Sequence, residues 1–168
     1  MIRSTALVAL GVFALAAGSA SAAAPKKNTI TAVGGMKVKA NAYVQDDQRW
    51  DADSYTVKSG STVTLRDKST EGQPHTLSLI KKAPKTPAQI MGCEACGPLM
   101  GAHQVNEETG DVGVALVNVE GEGFDAAGDS IYLPPKGKVT FKVTAKKGST
   151  LKFLCAVHPW MAATIKVK

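Results

Sequence analysis

Apolar and polar residues alternate with a period of two over much of the chain beyond residue 36, the pattern of strands that bury one face. Met36, Val38, Ala40 and Ala42 alternate with Lys37, Lys39 and Asn41. Further short β-prone runs fall at 62–65, 75–80, 112–119, 138–144, 150–155 and 164–167. Many recur at spacings of roughly ten residues, between turn-forming clusters such as Ser59-Gly60 and Pro134-Pro135-Lys136-Gly137, which is the layout of a β-sandwich or barrel. The pattern predicts an all-β domain of about seven or eight strands. One segment breaks the rhythm. Residues 81–111 hold Pro84 and Pro87, a helical turn at 88–91, and the run Met91-Gly92-Cys93-Glu94-Ala95-Cys96-Gly97-Pro98-Leu99-Met100-Gly101-Ala102-His103. A loop of that length inside a compact domain is functional, or is an insertion with its own staple.

The first 22 residues read as an address and not as structure. Arg3 supplies a positive start, 6–17 an apolar stretch, and Ala20-Ser21-Ala22 a small-residue cleavage site. The stretch is short and rich in Ala and Gly for a membrane span, so a cleaved signal peptide over 1–22 is expected, with no stable membrane insertion afterwards. An uncleaved anchor is the alternative, and either one exports the chain to a periplasmic or extracellular location. The remaining 23–168 suit one domain with a sizeable core.

Charge alters this picture little. The formal net charge is +6, but the Lys residues are scattered singly along alternating segments and form no nucleic-acid recognition motif. The charges are segregated: 86–135 contains eight acids and no Lys or Arg, and 136–168 contains eight Lys and no acid. Such a dipole can orient a charged partner during encounter, or it can simply be solvated.

The strongest chemical signal is Cys155-Ala156-Val157-His158-Pro159-Trp160-Met161, taken with His75. A thiolate, two imidazoles and a thioether are the donors of a soft, redox-active copper site: trigonal His₂Cys with a weak axial Met. Strand parity agrees. Leu151, Phe153 and Cys155 share one face, and so do His75, Leu77 and Leu79, so two core-facing strand ends can converge at one pole. A Cys155–His158 nucleophile and base pair is disfavoured because no orienting Asn or Asp is evident. Zinc has no use for Met161. Cys93 and Cys96 form an even pair once Cys155 is set aside; they are a candidate disulfide, a redox dithiol, or part of a second soft-metal site with Met91, Met100 and His103.

Residues 60–79, with Gly-Ser-Thr-Val-Thr-Leu and Gln-Pro-His-Thr-Leu, and residues 137–167, with Lys-Val-Thr-Phe-Lys-Val and Phe-Leu-Cys-Ala-Val-His-Pro-Trp-Met, resemble the cupredoxins, the plastocyanin and azurin superfamily. The two-residue gap between His158 and Met161 is similar to the short ligand loop of amicyanin. The resemblance implies a cupredoxin-like Greek-key β-sandwich with one long loop insertion at 81–111. It implies one type 1 copper per chain, with His75 and His158 as imidazole ligands, Cys155 as thiolate and Met161 as axial thioether. Two positions depart from the family pattern: Thr76 stands where many members have Asn tying the ligand loops together, and Ala163 where many have Gly.

The function these expectations favour is one-electron carriage by an exported monomer, with no enzymatic turnover. Redox proteins would dock through an apolar patch near Pro159 and Trp160. The alternative is copper handling, by storage, delivery or oxidase maturation, through a Cys, Met and His site in the long loop.

Overall fold

The computed structural model describes residues 28–106 and 108–168, so the expected signal peptide lies outside the described residues. Twelve strands occur among them: β1 (Thr29–Val33), β2 (Met36–Lys39), β3 (Tyr43–Asp46), β4 (Arg49–Trp50), β5 (Ser54–Val57), β6 (Thr62–Asp67), β7 (His75–Ile80), β8 (Leu116–Val117), β9 (Ser130–Leu133), β10 (Lys138–Lys142), β11 (Thr150–Leu154) and β12 (Ala162–Val167). Two short helices, α1 (Pro87–Met91) and α2 (Cys96–Ala102), lie between β7 and β8.

The strands form a β-sandwich. One sheet has the order β10-β6-β1-β4, the other β5-β12-β11-β7-β9-β8, and β2-β3 is a separate hairpin. Most ladders are antiparallel, but β1 runs parallel to β6 and β5 parallel to β12. Strict alternation builds the space between the sheets. Val63, Leu65, Ile30, Trp50 and Phe141 from the first sheet meet Tyr55, Leu77, Leu79, Leu151, Phe153 and Ile165 from the second in one buried cluster. On the outer face of the six-stranded sheet, Ile80, Leu154 and Ala156 pack under Cys96 and Leu99 of the insertion. This second cover explains why β7 and β9 are buried at every position, whereas β5 and β11 still expose alternate residues.

Two expectations change. The alternation at residues 36–42 belongs to the β2–β3 hairpin, whose Val38 and Val44 are each 68% exposed and face no core. Period two says that side chains point to opposite faces; it does not say that either face is covered. The strand count exceeds seven or eight because β1, β4, β5 and β9 carried no alternation that stood out, and the run at 112–119 shrinks to Leu116–Val117 plus an isolated bridge at Val112. Gly34, with φ +95°, turns the chain from β1 into the hairpin; a Cβ there would collide with the Asp47 carbonyl.

Candidate metal centre

His75 opens β7 and Cys155 directly follows β11, which pairs with β7 in the register Leu154↔Ser78. That register brings residues 80 apart in sequence to one end of the sheet, where Cys155 Sγ lies 3.9 Å from His75 Nδ1. Past Cys155 the chain turns sharply: Met161 N–H donates to His158 O at 2.8 Å, and Cys155 N–H donates to Met161 O at 2.9 Å. This closed turn swings His158 back, so that its Nδ1 lies 3.7 Å from Cys155 Sγ. The donor atoms of His75, Cys155 and His158 all lie within 4.8 Å of one another, and the three residues are buried. They can hold one metal ion. Met161 is 1% exposed and packs in the same core cluster as Cys155, with its carbonyl also accepting from Trp50 Nε1 at 2.9 Å.

The far nitrogens of both imidazoles are occupied. His75 Nε2 is 3.3 Å from Ser69 Oγ and 3.6 Å from the fully buried Asp67 carboxylate. Burial alone would raise Asp67, but the Ser69 side chain, the backbone N–H groups of Lys136 and Ser69, and His75 outweigh it and hold the carboxyl below its ordinary range. A carboxylate at Nε2 keeps the proton there and leaves the Nδ1 lone pair free to ligate. His158 Nε2 lies 2.7 Å from Gln73 Oε1 and 3.2 Å from Gln48 Nε2; the carbonyl oxygen selects the same tautomer. Both Nδ1 atoms therefore face the sulfur as acceptors. Burial, and for His75 also the neighbouring His158, lowers both imidazoles, His75 to about 4, which keeps them neutral. Burial pushes the Cys155 thiol up, opposed by donation from Thr76, His158 and Val157 N–H groups. The Thr76 N–H reaches the sulfur at 3.3 Å. A soft cation fits this donor set, since two neutral imidazoles and one displaced thiol proton leave a low net charge in a dry site.

Thr76 does tie the two ligand segments together. Its Oγ1 accepts from Ala156 N–H at 2.7 Å, so the shorter side chain bridges from β7 to the Cys155 turn. Sequence reasoning missed Asp67, Ser69, Gln73, Gln48 and Trp50. Gln73 stands in the Gln-Pro-His-Thr-Leu run and Asp67 and Ser69 shortly before it, whereas Gln48 and Trp50 come from the β3–β4 region distant in sequence; no ligand-type spacing marks any of their roles.

The long insertion holds a different outcome. Cys93 and Cys96 are joined as a disulfide, which leaves neither thiolate free for a metal. Met91 is 87% exposed, and His103 is buried with Nδ1 on Val114 O and Nε2 on Ser130 Oγ, each at 2.7 Å. The second soft-metal site is therefore not assembled. Of the expected docking patch, Trp160 is 42% exposed and Pro159 half-buried, but His158 itself is only 3% exposed. Trp160 covers it edge-on at 5.3 Å and donates from Nε1 to Gln48 O at 3.0 Å.

No family model and no curated protein matches the chain. Solved structures do. The likeness is to cupredoxins. A purple cupredoxin from Nitrosopumilus maritimus aligns at 15% identity over 84% of this chain and 100% of its own, with a TM-score of 0.44. Auracyanin from Roseiflexus castenholzii aligns at 19% identity over 84% of this chain and 98% of its own, with a TM-score of 0.42. A mutant amicyanin aligns at 16% identity over 88% and 89%, with a TM-score of 0.41. The case for a metal centre in this chain rests on its own residues: the buried trio, its tautomers and its parity across two strands.

Proposed function

We propose that the chain is an exported type 1 copper protein that carries single electrons, with His75, Cys155, His158 and Met161 as ligands. The observation that carries this reading is the convergence of two Nδ1 lone pairs on one buried sulfur, with the remaining nitrogens tied to Asp67, Ser69 and Gln73. Copper, when bound, supplies a one-electron couple. The chain's own part is to exclude water, fix the imidazole tautomers and hold donor positions that change little between charge states. Burial of the trio serves the first, the Asp67 and Gln73 contacts the second, and the Thr76 tie with the 155–161 turn the third.

Trp160 and Pro159 are the apolar residues at the surface beside His158, and a redox partner would dock there through a small interface. The Cys93–Cys96 disulfide supports an oxidising compartment, in keeping with export. It also weighs against the copper-handling reading, which needed those two thiols.

The test is a visible spectrum of copper-reconstituted protein with its metal-to-protein ratio. One copper per chain with an intense charge-transfer band that bleaches reversibly on reduction is expected. A folded, copper-loaded sample without such a band overturns the proposal.

A further inference from the structure

Three of the seven large apolar side chains that stand exposed among the described residues lie on one hairpin, β2–β3. Val38 and Val44 are directly opposite each other at 68% exposure, and Tyr43 is 52% exposed. The two strands pair only with each other among the described residues, and both faces of the ribbon are open. A two-stranded ribbon is marginal by itself, and clustered apolar side chains in solvent add nothing to it. No core accounts for them.

The root of the ribbon is built into the metal centre. Gly35 N–H donates to Asp47 Oδ1 at 2.7 Å and Met36 N–H to Glu71 Oε1 at 2.8 Å, which fixes the base. Asp46, the last residue of β3, accepts from Gln48 N–H at 2.9 Å and from Gln48 Nε2 at 3.1 Å. Gln48 Nε2 in turn lies 3.2 Å from His158 Nε2, and Gln48 O accepts from Trp160 Nε1 at 3.0 Å. The register Met36↔Asp46 and Val38↔Val44 puts both valines on the ribbon face of Asp46, two residues or roughly 7 Å further out. The apolar pair therefore extends the same pole on which Trp160 opens. Charge adds selectivity. Residues 36–45 contain Lys37 and Lys39 and no acid, and neither lysine enters an ion pair among the described residues. Both lie on the other ribbon face, so a partner seated on the valines meets an apolar centre with long cationic side chains at its rim.

We propose that the β2–β3 hairpin is a docking arm for the redox partner: Val38 and Val44 carry the apolar contact outward from Trp160, and Lys37 and Lys39 select a protein whose cofactor edge is ringed by carboxylates. The idea rests on reading the His75, Cys155 and His158 centre as an electron-carrying copper site. A redox protein is the occupant because the arm is rooted on Gln48, which touches both the ligand ring and its Trp160 cover. A bilayer has no cofactor to meet there. A second copy, docked about a two-fold axis, would set the same lysines against each other.

The experiment uses an acidic c-type cytochrome as probe and a basic one as control, each mixed with reduced, copper-loaded protein in stopped flow. Wild type should react faster with the acidic cytochrome and slow as salt is added. Lys37→Glu with Lys39→Glu should cut that rate constant about tenfold or more at low ionic strength and flatten its salt dependence. Lys146→Glu with Lys147→Glu makes the same charge change before the far end of β11 and should stay within about twofold of wild type. Val38→Thr with Val44→Thr should cost about threefold at every ionic strength. All three variants should keep the wild-type visible band, and ¹⁵N NMR of the Cu(I) protein should show the acidic cytochrome perturbing the hairpin together with Trp160. Unchanged rates in the two hairpin variants overturn the proposal, as does an equal loss in the Lys146 and Lys147 variant or a footprint that omits the hairpin. Flotation with phosphatidylglycerol vesicles, or a concentration-dependent dimer, that Val38→Thr with Val44→Thr abolishes assigns the arm to lipid or to a second copy and also overturns it. Absence of an intense band in copper-loaded wild type overturns the copper reading alone, and the cytochrome's NMR footprint then decides the arm by itself.

Discussion

Cys155 is the residue at which most of the chemistry meets. Its sulfur sits between two Nδ1 atoms and accepts the Thr76 N–H. Cys155→Ser replaces a soft thiolate by a poorly ionising hydroxyl, and the expected outcome is complete loss of the visible band with the far-UV spectrum of the fold retained. Asp67 acts one shell out. Its Oδ1 accepts Ser69 N–H at 2.7 Å in a buried setting, and its Oδ2 accepts Lys136 N–H at 2.6 Å in a partly buried one. Asp67→Asn turns one acceptor into a donor facing an N–H, so denaturant unfolding should show a loss of about 1–3 kcal/mol, with weaker copper retention as His75 loses its anchor. Parity made Cys155 and His75 legible from the sequence because side chains two apart along a strand share a face. Asp67 and Gln73 were not legible, since a carboxylate and an amide near a turn are ordinary loop residues until the fold brings His75 and His158 to them.

The insertion is an element with its own job. Residues 81–111 read as a loop, yet α2 lays Leu99 on Ile80, Leu154 and Ala156, making a third layer over the outer face of the six-stranded sheet. Leu99→Ala opens a cavity beside β7 and β11 and should cost about 2–4 kcal/mol in chemical denaturation. The hairpin offers the contrasting case. Val38 and Val44 face solvent, so Val38→Thr should change stability by less than about 0.5 kcal/mol in the same assay. Alternation alone ranked this hairpin as half-buried and passed over β1, β5 and β9. What decides burial is which element lies opposite, and the short, mixed-polarity stretches of Thr29–Val33 and Ser54–Val57 are placed by parallel pairing with β6 and β12, far away in sequence.

At the scale of the whole molecule, the imidazoles set the response of metal-free protein to acid. His75, His103 and His158 are all lowered chiefly by burial, His75 to about 4. The unfolded chain binds those protons more readily, so the stability held by the neutral rings is fully present above about pH 6.5 and is lost as pH falls toward 4. His75 alone accounts for roughly 3 kcal/mol of that loss. Thermal unfolding of metal-free protein should shift downward across this window, while copper-loaded protein resists it because the bound ion adds stability by mass action. A flat profile for metal-free protein between pH 7 and pH 4.5 contradicts the burial described for the three rings.

The pairing of β12 also has a consequence in time. It lies between β5 and β11, and the turn that leads into it holds His158 and Met161. During synthesis the six-stranded sheet stays open until residues 162–167 have emerged. The earlier His75 therefore waits about eighty residues for its companions, and the three buried donors stand together only once the chain has closed on itself.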